Sequence, residues 1–113
     1  MKEFPNCISA KNIDKFDKLK ENRNICYLRD DIYEFLLSMN SENLEREFYD
    51  FTKFFDKNSI KNREFYRDII IKELKEKDWI LATVFGGWGL VFGLNEESLN
   101  KSIWKSSLDF TIV

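Results

Sequence analysis

Residues 79–94 read WILATVFGGWGLVFGL, and the way this stretch folds decides the architecture of the chain. It is the longest apolar run in the sequence, 16 residues. Wound as one helix it would span about 24 Å, short of the roughly 30 Å of a bilayer's hydrocarbon core. It also holds all four glycines, Gly86, Gly87, Gly89 and Gly93, two of them at its centre. Glycine weakens a helix interior and suits turns that need positive φ. In the second half Trp88, Leu90, Phe92 and Leu94 alternate with Gly89, Val91 and Gly93. A period of two marks a strand. The stretch therefore reads as two strands joined by a tight hairpin at Gly86-Gly87. Trp79 and Trp88 belong to the core on this reading. The opposite face of the second strand is stripped at Gly89 and Gly93, where another group can approach the backbone closely.

Downstream, Asn95-Glu96-Glu97 reads as a helix start, with acids where the helix dipole favours them. Leu99 and Ile103 lie on one side of that helix, with Trp104 near its end. Leu108, Phe110 and Ile112 alternate again and give a last strand. Upstream the pattern is helical. Residues 10–22 carry Ile13, Phe16 and Leu19 at threes behind a Ser9 cap. Residues 24–28 are rich in strand formers and read as a short edge strand. Asp30 reads as an N-cap, with Asp31 and Glu34 in the first turn and Ile32, Phe35, Leu36 and Met39 at helical spacing. Asn40-Ser41 breaks the pattern. Leu44, Phe48, Phe51 and Phe55, spaced four, three and four, then predict another helix. After a turn at 56–59, a helix capped by Ser59 carries Phe65, Tyr66, Ile69, Ile70 and Leu74. It closes with a Glu73/Lys77 pair at i,i+4. The sum is one α+β domain over residues 1–113. Its helical N-terminal two-thirds pack on a small, mostly antiparallel sheet built from a C-terminal β-β-α-β segment.

Composition narrows the chemistry. The 113 residues include no histidine and two cysteines. That excludes a Ser-His-Asp triad, a Cys-His dyad and a zinc site of ordinary ligand type within one chain. Cys7 and Cys26 read as reduced, partly buried thiols, a bond between them being the lesser alternative. The N-terminal residues have no apolar core of signal-peptide length, so a cytoplasmic protein without a membrane segment is expected. The Gly86-Gly87-Trp88-Gly89 run lacks the Lys-Ser/Thr and the following helix of a phosphate-binding loop. The doublets Asp30-Asp31 and Glu96-Glu97 point in different directions on a helix and make poor acid–base pairs. The four tyrosines form no constellation. No catalytic residue, cofactor site or metal site is expected.

Charge is the most informative feature. The chain carries 18 basic and 20 acidic residues, a net charge of −2. Residues 24–56 hold 3 basic and 8 acidic groups, whereas residues 57–77 hold 7 basic and 4 acidic. One reading pairs the two segments within the molecule. The other is an acidic face that steers a basic partner onto itself. A small plug-like domain without catalytic equipment and with an acidic face fits an immunity or antagonist protein that neutralises a basic, nuclease-type toxin. The expected contacts are Asp30, Asp31, Glu34, Glu42 and Glu45, with Glu96, Glu97 and Trp104 as a second patch. The alternative is a nucleic-acid-associated regulator or phage-type accessory protein. It would use the basic helix around Lys61, Arg63, Arg67, Lys72 and Lys75, though the net charge makes nucleic acid the weaker partner. The strand near residues 108–113 offers an edge through which two copies could pair.

Overall fold

The computed structural model describes residues 13–113. Helix α1 spans Ile13–Leu37, strand β1 Tyr49–Asp50, and helices α2 and α3 Phe51–Lys57 and Arg63–Glu76. Strand β2 (Ile80–Val84), strand β3 (Gly89–Gly93), helix α4 (Glu96–Asn100) and strand β4 (Thr111–Ile112) follow. The strands form one antiparallel sheet in the order β1-β3-β2-β4. The protein is thus α+β, with helices mostly N-terminal and strands mostly C-terminal. The Ser9 cap and Cys7 lie outside the described residues. Cys26 is a free thiol and exposed rather than partly buried.

The hairpin forms in the expected register, with Leu81 opposite Phe92 and Ala82 opposite Val91. Its turn is wider than a two-residue loop, since residues 85–88 bridge the strands. Gly86 at φ 68° and Gly87 at φ 94° supply the left-handed backbone. Phe85 also sits there, at φ 56°. For a bulky side chain that conformation costs about 1–2 kcal/mol. Its ring is held by Phe48 at 4.9 Å and Trp104 at 5.9 Å between centroids.

The period-two alternation of β2 and β3 serves two cores. Leu81, Leu90 and Phe92 face one side, where they meet Leu28 and Ile32 of α1, Phe51 and Phe55 of α2, and Ile70 and Leu74 of α3. Each such side chain, once buried, contributes about 1.5–3 kcal/mol relative to exposure. Trp79 and Trp88 pack against this cluster. Ala82, Val84 and Val91 face the other side and meet Leu99 of α4, with Phe48, Trp104, Phe110 and Ile112 around them. The sheet is therefore covered on both faces. The close approach expected at the glycines is internal. A Cβ on Gly93 would lie 2.4 Å from Leu99 Cγ, and one on Gly89 within 3.0 Å of Val84, Phe85 and Phe48.

Four expectations are corrected upstream. Residues 24–28 are helical, not a strand, and Asp30 is an interior residue of α1 rather than a cap. Ile25, Leu28 and Ile32 continue a three-and-four spacing that tertiary packing favours over the local strand preference of Ile25 and Tyr27. The stripe Leu44, Phe48, Phe51, Phe55 is not one helix. Residues 41–46 form turns, Tyr49-Asp50 pairs with β3, and only Phe51 onward is helical. Asp50 caps α2 by accepting the Lys53 N–H at 3.2 Å. The start of α3 is set by Asn62 in the left-handed region rather than by a Ser59 cap.

Candidate functional site

Charge separates onto the two edges of the sheet, and one ion pair explains how. Arg29 is the cation of α1 nearest its acids. Its guanidinium forks onto Glu73 of α3, Nε to Oε2 at 2.6 Å and Nη2 to Oε1 at 2.7 Å. The Arg29 guanidinium holds the Glu73 carboxyl below its ordinary range, against the opposing effect of burial. The Arg29 pKa is raised in turn by its hydrogen bond to Glu73. Asn24 donates to the Tyr66 hydroxyl at 3.1 Å, and Lys77 Nζ to the Tyr33 hydroxyl at 3.0 Å. Glu73 also meets Lys77 at 3.5 Å, the i,i+4 pair legible in the sequence. The acidic and basic segments are thus tied by a forked pair of minority charges, an arginine from the acidic one and a glutamate from the basic one, while Asp30 and Glu34 of the acidic segment stay exposed.

At the β1 edge, Asp31 and Glu34 of α1 and Asp50 of β1 line a cleft of about 510 Å³, walled by Phe35, Phe48 and Phe54. Lys53 and Lys57 of α2 line it as well. Asp31 accepts the Tyr49 hydroxyl at 2.6 Å. Burial pushes the Tyr49 phenol far above its ordinary value, and the bond to Asp31 adds to this, so Tyr49 stays a donor. Asp30 and Glu34 are exposed and have no ion pair among the described residues. These acids sit in the last two turns of α1, where no basic residue follows in the final turn. The helix dipole opposes the negative charge of Glu34, which lies in the last turn. The capping role that a helix start would have given them is therefore absent.

The other expected contact residues divide. Glu42 is exposed in the 41–46 turn, its N–H donating to Asn40 Oδ1 at 2.9 Å. Glu45 is structural. Its carboxylate accepts the Leu94 N–H at 2.8 Å and the Ser98 hydroxyl, pinning the turn to the end of β3 and to α4. Glu96 and Glu97 occupy the first turn of α4 as expected, behind a capping box between Asn95 and Ser98. Glu97 pairs with Lys101 at 2.8 Å in full exposure. Trp104 is half-buried, closing an aromatic triangle with Phe48 and Phe85. Its Nε1 is buried without a hydrogen-bond partner among the described residues.

At the β4 edge the basic helix is less free than its sequence suggests. Arg63 meets Asp56 at 2.7 Å and lies over the Phe55 ring. Arg67 lies over Trp88 at 4.5 Å from the centroid and pairs with Asp68. Cation–π stacking of this kind contributes about 1 kcal/mol. Two of the five basic residues are thus held in place by rings and carboxylates, and the basic stripe is interrupted. β4 itself is two residues long. Pairing of Thr111 with Thr83, and the Val113 N–H donated to the Leu81 carbonyl, turn those groups inward. Little backbone remains on the outer edge to template another strand.

Among the described residues no group of three or more His, Cys, Asp or Glu side chains converges as a metal site, and no helix is long and apolar enough to cross a membrane. Comparison with protein-family models, with curated proteins and with solved structures found no match.

Proposed function

We propose that this protein acts by binding, not by catalysis, and that its β1 edge docks onto a basic partner protein and blocks it. The observation that carries this reading is the placement of Asp30, Asp31 and Glu34. Asp31 and Glu34 line an aromatic-walled cleft, Glu34 in the last turn of α1 where the helix dipole opposes it, Asp30 is exposed next to Asp31 in sequence, and the adjacent Arg29 is turned away onto Glu73. Exposed acids such as Asp30 and Glu34, which have no ion pair among the described residues, suit recognition of an external cation. The aromatic walls add apolar contact for the anchor residues that dominate interface energetics. Glu42 and Glu96 are exposed as well and are assigned to the same recognition in this reading, with Glu97, which pairs with Lys101. A cytoplasmic immunity or antitoxin role against a nuclease-type toxin is the specific form we favour, since an acidic plug complements a cleft built for a polyanion.

Charge reversal tests the proposal. Asp30→Lys combined with Glu34→Lys should slow association with the partner about tenfold or more at low salt, and should flatten the dependence of the on-rate on ionic strength. An on-rate unchanged by the double substitution would remove the β1 edge from the mechanism.

A further inference from the structure

The opposite edge of the sheet holds a second concave site. A groove of about 700 Å³ runs between α3 and the β2–β4 edge, within the size range of small-molecule sites. Donors line it from three sides. Arg67, Lys72 and Lys75 come from α3, and the Gly86-Gly87 turn closes one end. Thr83 and Thr111 are direct partners in the β2–β4 ladder, so their side chains stand together on the face turned to α3. Ile71 supplies an apolar floor.

The positions of these groups are fixed by packing. The Arg67 guanidinium is flanked by the Trp88 ring, and a Cβ on Gly87 would lie 3.0 Å from its Nη1. Glycine at 87 therefore serves twice, as a left-handed turn residue and as the space that seats Arg67. Lys75 Nζ donates to the Val113 main-chain oxygen, and both residues line the groove. Lys72 has no ion pair among the described residues. Two carboxylates also line the groove. Asp68 is taken by Arg67, and Glu76 stands beside Lys75 in sequence. The Thr83 and Thr111 hydroxyls, the Lys72 ammonium and the positioned Arg67 and Lys75 charges line one groove, and donors of these types suit the acceptor oxygens of a phosphate group.

We propose that this groove binds a phosphate-bearing small molecule. The glycine run carries no phosphate-loop motif, and the site arises only because the fold sets it beside the cations of α3. It is independent of the acidic edge and of the partner proposed for it.

The test is titration of the full chain with inorganic pyrophosphate at physiological salt, followed by amide chemical shifts. Saturable shifts centred on Thr83, Gly86, Gly87 and Thr111, with a dissociation constant of about 1 mM or tighter, are expected. Lys72→Gln, an exposed substitution that leaves the core untouched, should weaken binding about fivefold to tenfold. Lys53→Gln at the far edge should leave it unchanged. Absence of saturable shifts at about 10 mM pyrophosphate would overturn the proposal. Equal weakening by Lys72→Gln and Lys53→Gln would also overturn it, since it would reveal a general charge effect. A single-stranded oligonucleotide that shifts the same resonances at lower concentration than pyrophosphate would replace the small molecule with nucleic acid.

Discussion

The two edges of the sheet are built alike and charged differently. Each ends in a two-residue strand, β1 or β4, and each is flanked by a helix that leaves a cleft beside it. At the β1 edge the exposed acids of α1 lie in the open, and the lysines of α2 line the cleft. At the β4 edge the arginines of α3 are folded into the structure by Trp88, Phe55 and their own carboxylate partners. The difference teaches that net charge along a sequence does not equal charge on offer at a surface. The acidic segment keeps Asp30 and Glu34 exposed while Arg29 is withdrawn onto Glu73. The basic segment loses part of its charge to packing.

Both edges hang on one core, and Phe55 links them. It stacks with Phe51 of α2 and meets Trp88, which in turn carries Arg67. Phe55→Ala should destabilise the protein by about 3–5 kcal/mol and loosen both clefts together, read by thermal or denaturant unfolding and by amide exchange. Loosening of one edge alone would break the picture of a shared support.

Gly93→Ala separates the edges. The new methyl collides with Leu99, which must move and carry α4 with it, at a cost of about 1–3 kcal/mol. Ser98 then shifts away from Glu45, so chemical shifts should change in the 41–46 turn while Arg67 and Trp88 stay as they are. Adding Leu99→Ala should relieve the clash and recover part of the strain.

Glu73→Gln tests the withdrawal of Arg29. The loss of the forked pair should cost about 1 kcal/mol near neutral pH. The folded carboxyl titrates below its ordinary value of 4.5. Its stabilisation is therefore fully present above about pH 4.5 and fades as pH falls through the lower folded value. The gap between wild type and Glu73→Gln should narrow over that acid window, as followed by urea unfolding at several pH values. The freed Arg29 should also soften the negative potential beside Asp30 and slow partner association. The smallest effect is expected at Glu97→Gln, within about 0.5 kcal/mol, because its pair with Lys101 is fully exposed.

Much of the C-terminal half was legible in the sequence because its signals are local. Period-two alternation, paired glycines and an Asn-Glu-Glu helix start report on neighbours a few residues apart. The misreadings share a cause. Phe48, Phe51 and Phe55 have helical spacing, yet Phe48 serves the outer face of the sheet while Phe51 and Phe55 serve the inner core. Spacing alone does not say which core a ring enters. Of the candidate contacts, Glu45 has a structural role that was not legible, because its partners lie 49 and 53 residues away. The Arg29–Glu73 fork spans 44 residues and leaves no local trace. The donor-lined groove was missed for the same reason, since Gly87 meets Arg67 only through the hairpin's return to α3.

The most direct measurement is quantitative affinity capture, from lysate of the native host at low salt, with three baits side by side. These are the wild-type chain, Asp30→Lys/Glu34→Lys at the β1 edge, and Lys72→Glu at the β4 edge. The account predicts a stoichiometric basic protein on the wild type and on Lys72→Glu, and its loss from the acid-reversed bait. Retention of the same protein by all three baits, or its loss only from Lys72→Glu, would contradict the claim that the acidic edge is the docking surface.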